Sequence, residues 1–222
     1  MNSIYMTAIK LLLGVRKCTA NDLCLAELGL PPLSDLIKHK QSVCLRRLLD
    51  ARQGLTDDPF IFAYELTQLE NRKLSNYINV TLNSDVSIQS ALARLRANID
   101  ASVRTKFTTY RSINPSYAVH NVYYNRGNIP EYIRVSFTRF RLSSHRLKVE
   151  TGRWSRIAPE RRVCVCGNGA VQNEAHVLQD CVLTNNLREQ LGRDVVFPDF
   201  IVDADCLDDF KFVYDVLKCY EM

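Results

Sequence analysis

The stretch RRVCVCGNGAVQNEAHVLQDC, residues 161–181, decides how the C-terminal part of the chain folds. It places Cys164, Cys166, His176 and Cys181 within 18 residues of one another. Three thiolates and one imidazole complete a tetrahedral Zn²⁺ site and leave no open position for water, so the pattern indicates a structural metal site. The alternative is three ordinary thiols and a histidine with no metal between them.

The spacing within this stretch predicts its local structure. Two glycines follow Cys166 and allow the backbone to turn, which favours a short hairpin over residues 163–171. A short helix over 174–180 would present His176, with Cys181 at its end. The single residue between Cys164 and Cys166 is a tighter spacing than the usual two to four.

Outside this stretch the sequence predicts a mainly α fold. Apolar residues recur at intervals of three and four over 87–110, which is typical of an amphipathic helix. Further helices are predicted over 31–54, which starts at a proline pair, over 57–69, and over 206–220 at the C-terminus. Asp57-Asp58 reads as the cap of the second of these helices and not as a catalytic pair.

The segment SFTRFRLSSHRLKVETGRW, residues 136–154, is predicted to form one basic helix. Cations on its flanks suit a phosphate backbone, because each contact releases condensed counterions. An aromatic side chain, Trp154 or Tyr132, could stack on a base. The alternative is a solvated helix face. The candidate nucleic-acid contacts are Arg139, Arg141, His145, Arg146, Lys148, Arg153, Trp154 and Arg156.

The net charge of +5 conceals an uneven distribution. Residues 1–162 carry 25 basic and 13 acidic side chains, whereas residues 163–222 carry 4 basic and 11 acidic ones. The basic part favours an acidic partner. The acidic tail could pack on the basic face or could simply be a solvated surface.

The remaining five cysteines are scattered through apolar runs and are predicted to be small core residues. The N-terminus lacks the pattern of a secretory leader, and no apolar run reaches the ~18–20 residues that span a bilayer. We therefore expect a reducing compartment, nuclear or cytoplasmic, and no membrane partner.

Three segments resemble, in order, the C-terminal region of LINE-type, jockey-like non-LTR retrotransposon reverse transcriptases. Residues 11–41 are similar to the element after the polymerase palm, and residues 140–154 to the Arg/His-rich element before the finger. The finger pattern itself is matched at Arg162, Cys164, Cys166, Glu174, His176 and Cys181.

The resemblance implies a nucleic-acid-binding fragment of a polyprotein, starting after the palm at an internal Met, with structural Zn²⁺. RNA or DNA, and the polymerase portion of the polyprotein, are the expected partners. The polymerase needs paired carboxylates for two Mg²⁺ ions, and no aromatic-x-Asp-Asp hairpin occurs in the sequence, so we expect no enzymatic activity. A Pro-Asp…Asp-x-Lys pattern over 198–211 has helical spacing and does not suit a nuclease.

These observations divide the chain into four predicted segments. They are a helical, thumb-like connector over 1–115, a loop and basic helix over 116–158, a zinc-knuckle-like finger over 159–192, and an acidic terminal helix over 193–222. Two alternatives to nucleic-acid binding stay open: a structural module that docks the C-terminal region on the polymerase, and an inert retroelement remnant.

Overall fold

The computed structural model describes residues 2–54, 87–124 and 128–221, with only the backbone for 44–54. The chain divides into two compact units, one formed by 3–29 and 98–222 and the other by 30–97. The predicted segments 116–158, 159–192 and 193–222 all belong to the first unit. The predicted helix over 57–69 and the pair Asp57-Asp58 lie outside the described residues.

The described residues of the second unit form two helices, α3 (Leu33–Gly54) and the larger part of α4 (Ile88–Asp100). The first follows the proline pair, as predicted, because proline fixes the backbone dihedral that the first helical turn needs. Ser87 starts α4, since its hydroxyl accepts a hydrogen bond of 2.9 Å from the backbone N–H of Ser90. An ion pair of 2.9 Å joins Asp35 to Arg94.

The helix predicted over 87–110 is two helices, so this prediction was wrong in its length. α4 ends at Asp100, and α5 (Thr105–Ile113) begins after a short turn. Arg111 of α5 donates hydrogen bonds to the backbone carbonyls of Ile99, Asp100 and Ser102, which satisfies acceptors that a continuing helix would have used.

The first unit is also helical, and the mainly α fold is confirmed. Within the described residues the β structure is one isolated antiparallel bridge. The helices of this unit, besides the end of α4 and α5, are α1 (Asn2–Leu13), α2 (Asn21–Glu27), α6 (Glu131–Arg141), α7 (Lys148–Trp154), α8 (Asn185–Leu191), α9 (Asp199–Asp203) and α10 (Leu207–Lys218).

The terminal helix α10 packs on α6 through aromatic side chains. The rings of Phe137 and Phe210 lie 4.7 Å apart, and those of Tyr132 and Tyr214 lie 4.9 Å apart, both edge to face. The predicted terminal helix is therefore confirmed, with the short α9 preceding it. Among the described residues, no ion pair joins 131–156 to residues 193–222.

The predicted basic helix over 136–154 is also interrupted. α6 stops at Arg141, and α7 starts at Lys148. Between them Ser143 has a φ of 45°, in the left-handed region, which a helix cannot continue. The turn is held by Ser144, whose hydroxyl lies 2.9 Å from the hydroxyl of Thr19 and accepts a hydrogen bond from the backbone of Arg16.

Candidate metal centre and basic surface

A tight hairpin carries the first two cysteines of the cluster. Val163 and Val171 form the antiparallel bridge, and the backbone N–H of Cys164 donates to the carbonyl of Ala170 at 2.7 Å. Gly167 and Gly169 at the tip have φ values of 82° and 76°. Side chains rarely adopt this conformation, which explains why glycines follow Cys166. The predicted hairpin is thus present in its shortest form.

A short helical segment carries His176, and Cys181 directly follows its end. The side chain of Asn173 caps its start by accepting a hydrogen bond of 2.9 Å from the backbone N–H of His176. Residues His176–Asp180 then form a π-helical turn, in which the N–H of Cys181 donates to the carbonyl of His176 at 2.8 Å. π-turns occur often at functional sites, and this one lengthens the turn by one residue before Cys181.

The four predicted ligand atoms come together. No two of them are more than 4.8 Å apart. The sulfurs of Cys164 and Cys181 are 3.8 Å apart, and the Cys166 sulfur lies 3.5 Å from Nε2 of His176. Bond lengths of ~2.3 Å to sulfur and ~2.0 Å to nitrogen give tetrahedral sulfur–sulfur and sulfur–nitrogen separations of about 3.8 and 3.5 Å. The cluster could therefore hold a metal ion.

The cluster is mostly shielded, and its thiols are unequal. Cys164, His176 and Cys181 are buried, whereas Cys166 is half-buried. Burial raises the pKa of the Cys181 thiol to about 11. Burial also raises the pKa of Cys164, but the backbone of Cys166 and hydrogen bonds from neighbouring side chains bring it below its ordinary value. A bound cation would supply the charge that holds all the thiols deprotonated.

The C-terminal end of the described chain closes one side of the cluster. The hydroxyl of Tyr220, which follows α10, is shielded from solvent beside Cys181 and Cys164. It makes no hydrogen bond of normal geometry. A thiolate at Cys181 could accept a hydrogen bond from the Tyr220 hydroxyl. The residue pair after α10 thus contributes a polar group to the surroundings of the cluster.

Arg162, part of the finger pattern, is buried and holds the backbone of neighbouring segments through hydrogen bonds. Its guanidinium donates to the carbonyl of Ile157 at 2.7 and 3.0 Å and to that of Val149 at 2.9 Å. It also passes directly over Gly152 in α7: a Cβ on this glycine would lie 2.7 Å from Cγ of Arg162. The start of the hairpin is thereby fixed to α7.

Glu174, the other non-ligand residue of the pattern, is also buried and lies within hydrogen-bond distance of His145. Its carboxylate lies 3.0 Å from Nε2 of His145 and accepts a hydrogen bond of 3.3 Å from Ser143. Burial would raise the pKa of Glu174, but the hydrogen bond and charge of His145 bring it below its ordinary value. This contact fixes the turn between α6 and α7 to the segment that carries His176.

Two of the predicted nucleic-acid contacts are therefore corrected. Arg141 and His145 are 2% and 3% exposed, so neither can present its charge to a phosphate in this structure. Arg141 is instead paired with Glu27 at 2.6 Å, and His145 with Glu174. Their regular spacing with exposed cations misled the prediction, because Arg141 lies on the buried face of α6 and the turn after α6 places His145 against Glu174.

The other six predicted contacts reach the surface to different degrees. Arg139, Arg146, Trp154 and Arg156 are exposed. Lys148 and Arg153 are half-buried and already engaged: Lys148 donates to the carbonyl of Val163, and Arg153 pairs with Glu150 at 3.0 Å.

A further cation, Arg16, joins this surface and was missed from the sequence. Its guanidinium lies 4.6 Å from the centre of the Trp154 ring. Arg139 anchors on the same loop by donating to the carbonyl of Gly14 at 2.7 Å. Burial and the nearby charges of Arg146 and Arg139 lower the pKa of Arg16. We call Arg16, Arg139, Arg146 and Trp154 the basic surface.

The comparisons with known proteins give no match. No protein-family model matches the chain, and no curated protein or solved structure is similar to it by sequence or fold. The resemblance to retrotransposon proteins therefore stays a prediction from the motif residues.

The remaining cysteines and acidic residues form no comparable site in the described part of the chain. Cys24 is buried, as predicted, but Cys18 and Cys206 are exposed and are not core residues. Asp205, Cys206 and Asp209 lie close together, but Asp209 is occupied by an ion pair with Arg193 and by the backbone of Asp205. Among the described helices, none has the length and apolar character needed to cross a membrane.

Proposed function

We propose that this chain is a nucleic-acid-binding segment of a LINE-type reverse transcriptase polyprotein, with Zn²⁺ in a structural Cys₃His site. The observation that carries the nucleic-acid part of the proposal is the basic surface, where Arg16 lies over an exposed tryptophan and the charges of Arg139 and Arg146 are close enough to act on Arg16. We also propose that the chain catalyses no reaction itself and works inside the cell, where thiols stay reduced.

The choice of zinc follows from the chemistry of the ligands. Three thiolates and an imidazole are soft to borderline donors, which suit Zn²⁺ and disfavour Mg²⁺ or Ca²⁺. Four protein ligands fill a tetrahedral site, so the ion would have no position for a substrate. The metal would hold the hairpin and the His176 segment together.

The first experiment measures metal in the purified 222-residue chain. We expect about one equivalent of zinc for a filled Cys₃His site, and a large loss in Cys181→Ser. Cys18→Ser is the matched control, because this cysteine is exposed and outside the cluster. Less than half an equivalent in the wild type, or an unchanged content in Cys181→Ser, would refute the zinc site.

The second experiment measures nucleic-acid binding as a function of salt. Replacing Arg139 and Arg146 by glutamine removes two phosphate contacts, so the slope of log K against log salt should fall by about 1.5 to 2. Lys211→Gln is the control, because it also removes an exposed positive charge, but from α10, which contributes no residue to the basic surface. Binding that is independent of salt, or equal in all variants, would contradict the proposal.

A second candidate is a docking module for the polymerase portion, and α1 favours it. Ile4 and Leu11 are each 76% exposed, and Leu12 is 42% exposed. An apolar stripe of this kind is typical of a surface that another domain covers. Replacing Ile4 and Leu11 by serine should then abolish binding to the polymerase portion and leave nucleic-acid binding unchanged.

A further inference from the structure

Trp154, the only tryptophan of the chain, is an unusual surface residue. It ends α7 and is 57% exposed, although an indole gains much from burial. The other candidate aromatic, Tyr132, is similarly exposed, but its ring already packs against Tyr214. Trp154 is therefore the better platform for a flat ligand.

The Arg16 guanidinium is the group that now covers the indole. A cation over an aromatic ring at an exposed site gives a weak contact that another flat group can replace. The backbone of Arg16 stays fixed by Ser144, so only the side chain has to move.

The charge around the ring favours an anion beside the platform. Arg139 binds the carbonyl of Gly14, two positions before Arg16. Burial is the largest cause of the lowered pKa of Arg16, and repulsion by Arg146 and Arg139 adds to it, although Cys18 and Glu150 act in the opposite direction. A phosphate between these side chains would relieve the repulsion, and the displaced Arg16 guanidinium could bind it as well. A ligand that has both a flat ring and adjacent phosphates could therefore stack on Trp154 and bind the arginines of the basic surface at the same time.

We infer that the basic surface binds single-stranded nucleic acid, with an unpaired base stacked on Trp154 in place of Arg16. This inference rests on the proposed function and narrows it. A duplex keeps its bases stacked on one another, so it could offer phosphates to Arg139 and Arg146 but no free base face.

The experiment uses the fluorescence of the single tryptophan in the full chain. Oligothymidylate of about 12 nucleotides should quench Trp154 emission and protect it from acrylamide, because the base covers the indole. A duplex of equal length should bind more weakly and leave the emission nearly unchanged. These two measurements need no variant and so do not depend on the folding of one.

Variants separate stacking from charge. Trp154→Ala should weaken binding of oligothymidylate about tenfold or more and change duplex binding little. Tyr132→Ala should leave both unchanged. If labelled oligothymidylate binds with normal affinity to Trp154→Ala and without quenching in the wild type, the stacking inference is wrong and the proposed function stands. If neither nucleic acid binds the wild type, the proposed function itself fails.

Discussion

The carboxylate of Glu27 and the guanidinium of Arg141 form a two-point ion pair inside the first unit, with N–O distances of 2.6 and 3.2 Å. The phenols of Tyr110 and Tyr123 donate to the same carboxylate at 2.9 and 2.8 Å. Glu27 is fully buried, so every polar contact it makes replaces lost water. One carboxylate thereby joins α2 to α5, to α6 and to the turn before α6.

Removing the charge of Glu27 should be strongly destabilising. Glu27→Gln keeps the shape of the side chain but leaves the guanidinium of Arg141 buried without a counter-charge. Breaking one partner of a buried ion pair typically costs about 3–5 kcal/mol, and urea unfolding measures it. The exposed Glu189→Gln on α8 is the control, with an expected change of less than about 0.5 kcal/mol. A loss below about 1 kcal/mol in Glu27→Gln would contradict the structural role of the pair.

Stability should fall in mild acid because of His120. Burial, and then the charge of Arg141, lower its pKa to about 4, although Glu27 and the backbone of Ala204 act in the opposite direction. Because the folded pKa lies below the unfolded value, the unfolded chain takes up a proton first as the pH drops below about 6.5. His120 therefore contributes a loss of stability between pH 6.5 and 4, with a slope of at most about 1.4 kcal/mol per pH unit.

His120→Asn tests this pH dependence. The asparagine side chain can still accept the hydrogen bond that Nδ1 of His120 takes from the backbone of Val122 at 3.2 Å. Unfolding free energies measured from pH 7 to 4.5 should fall less steeply in the variant. Equal slopes in the two proteins would show that His120 is not the group responsible.

Gly152→Ala should destabilise the protein although alanine is the better helix former. A new Cβ would meet the stem of Arg162, whose guanidinium is held by two backbone carbonyls and cannot easily move aside. Overpacking of this kind costs about 1–3 kcal/mol, which exceeds the ~1 kcal/mol gained in helix propensity.

A double-mutant cycle decides whether the contact with Arg162 is the cause. In the Arg162→Ala background the Cβ has free space, so Gly152→Ala should become neutral or stabilising by thermal or urea unfolding. The same penalty in both backgrounds would assign the effect to another contact.

Tyr220→Phe should lower the affinity of the cluster for metal without removing a ligand. The variant loses only the hydroxyl that lies beside Cys181. We expect the metal-bound Cys181 thiolate to accept a hydrogen bond from this hydroxyl, and loss of such an outer hydrogen bond typically weakens metal binding about 10–100-fold. Competition with a chromophoric chelator measures the change, and Tyr214→Phe on α10 is the control. Unchanged zinc affinity in Tyr220→Phe would mean that the hydroxyl does not support the thiolate.

The metal cluster could be predicted from the sequence because its geometry is local. All four ligands fall within one hairpin and one helical turn, and the residue types that build these turns stand beside them: glycines after Cys166 and Asn173 before the helix. The π-turn that places Cys181 could not be foreseen, since it depends on a hydrogen-bond register that leaves no sequence signature.

The basic surface was predicted less well because its geometry is not local. Arg141 has the same spacing as exposed cations, but its partner Glu27 lies 114 positions earlier in the chain. Arg16 contacts Trp154 across a similar separation in sequence, and no residue near Arg16 in the sequence predicts this contact. The break between α6 and α7 was hidden for a related reason: Ser143 and Ser144 are compatible with a helix, and only their contacts with Thr19 and Glu174 make the turn.

If zinc and nucleic acid bind as proposed, the contact between His145 and Glu174 makes the two sites thermodynamically dependent on each other. His145 belongs to the turn that supports Arg146, and Glu174 lies two positions before His176, a predicted metal ligand. If zinc orders the Glu174 segment, it also orders the turn and thereby raises the affinity of the basic surface for an oligonucleotide. By reciprocity, a bound oligonucleotide must raise the affinity for zinc by the same factor. The amount of zinc that the chain retains would then depend on whether nucleic acid is bound. In Glu174→Gln, zinc binding and nucleic-acid binding would no longer depend on each other.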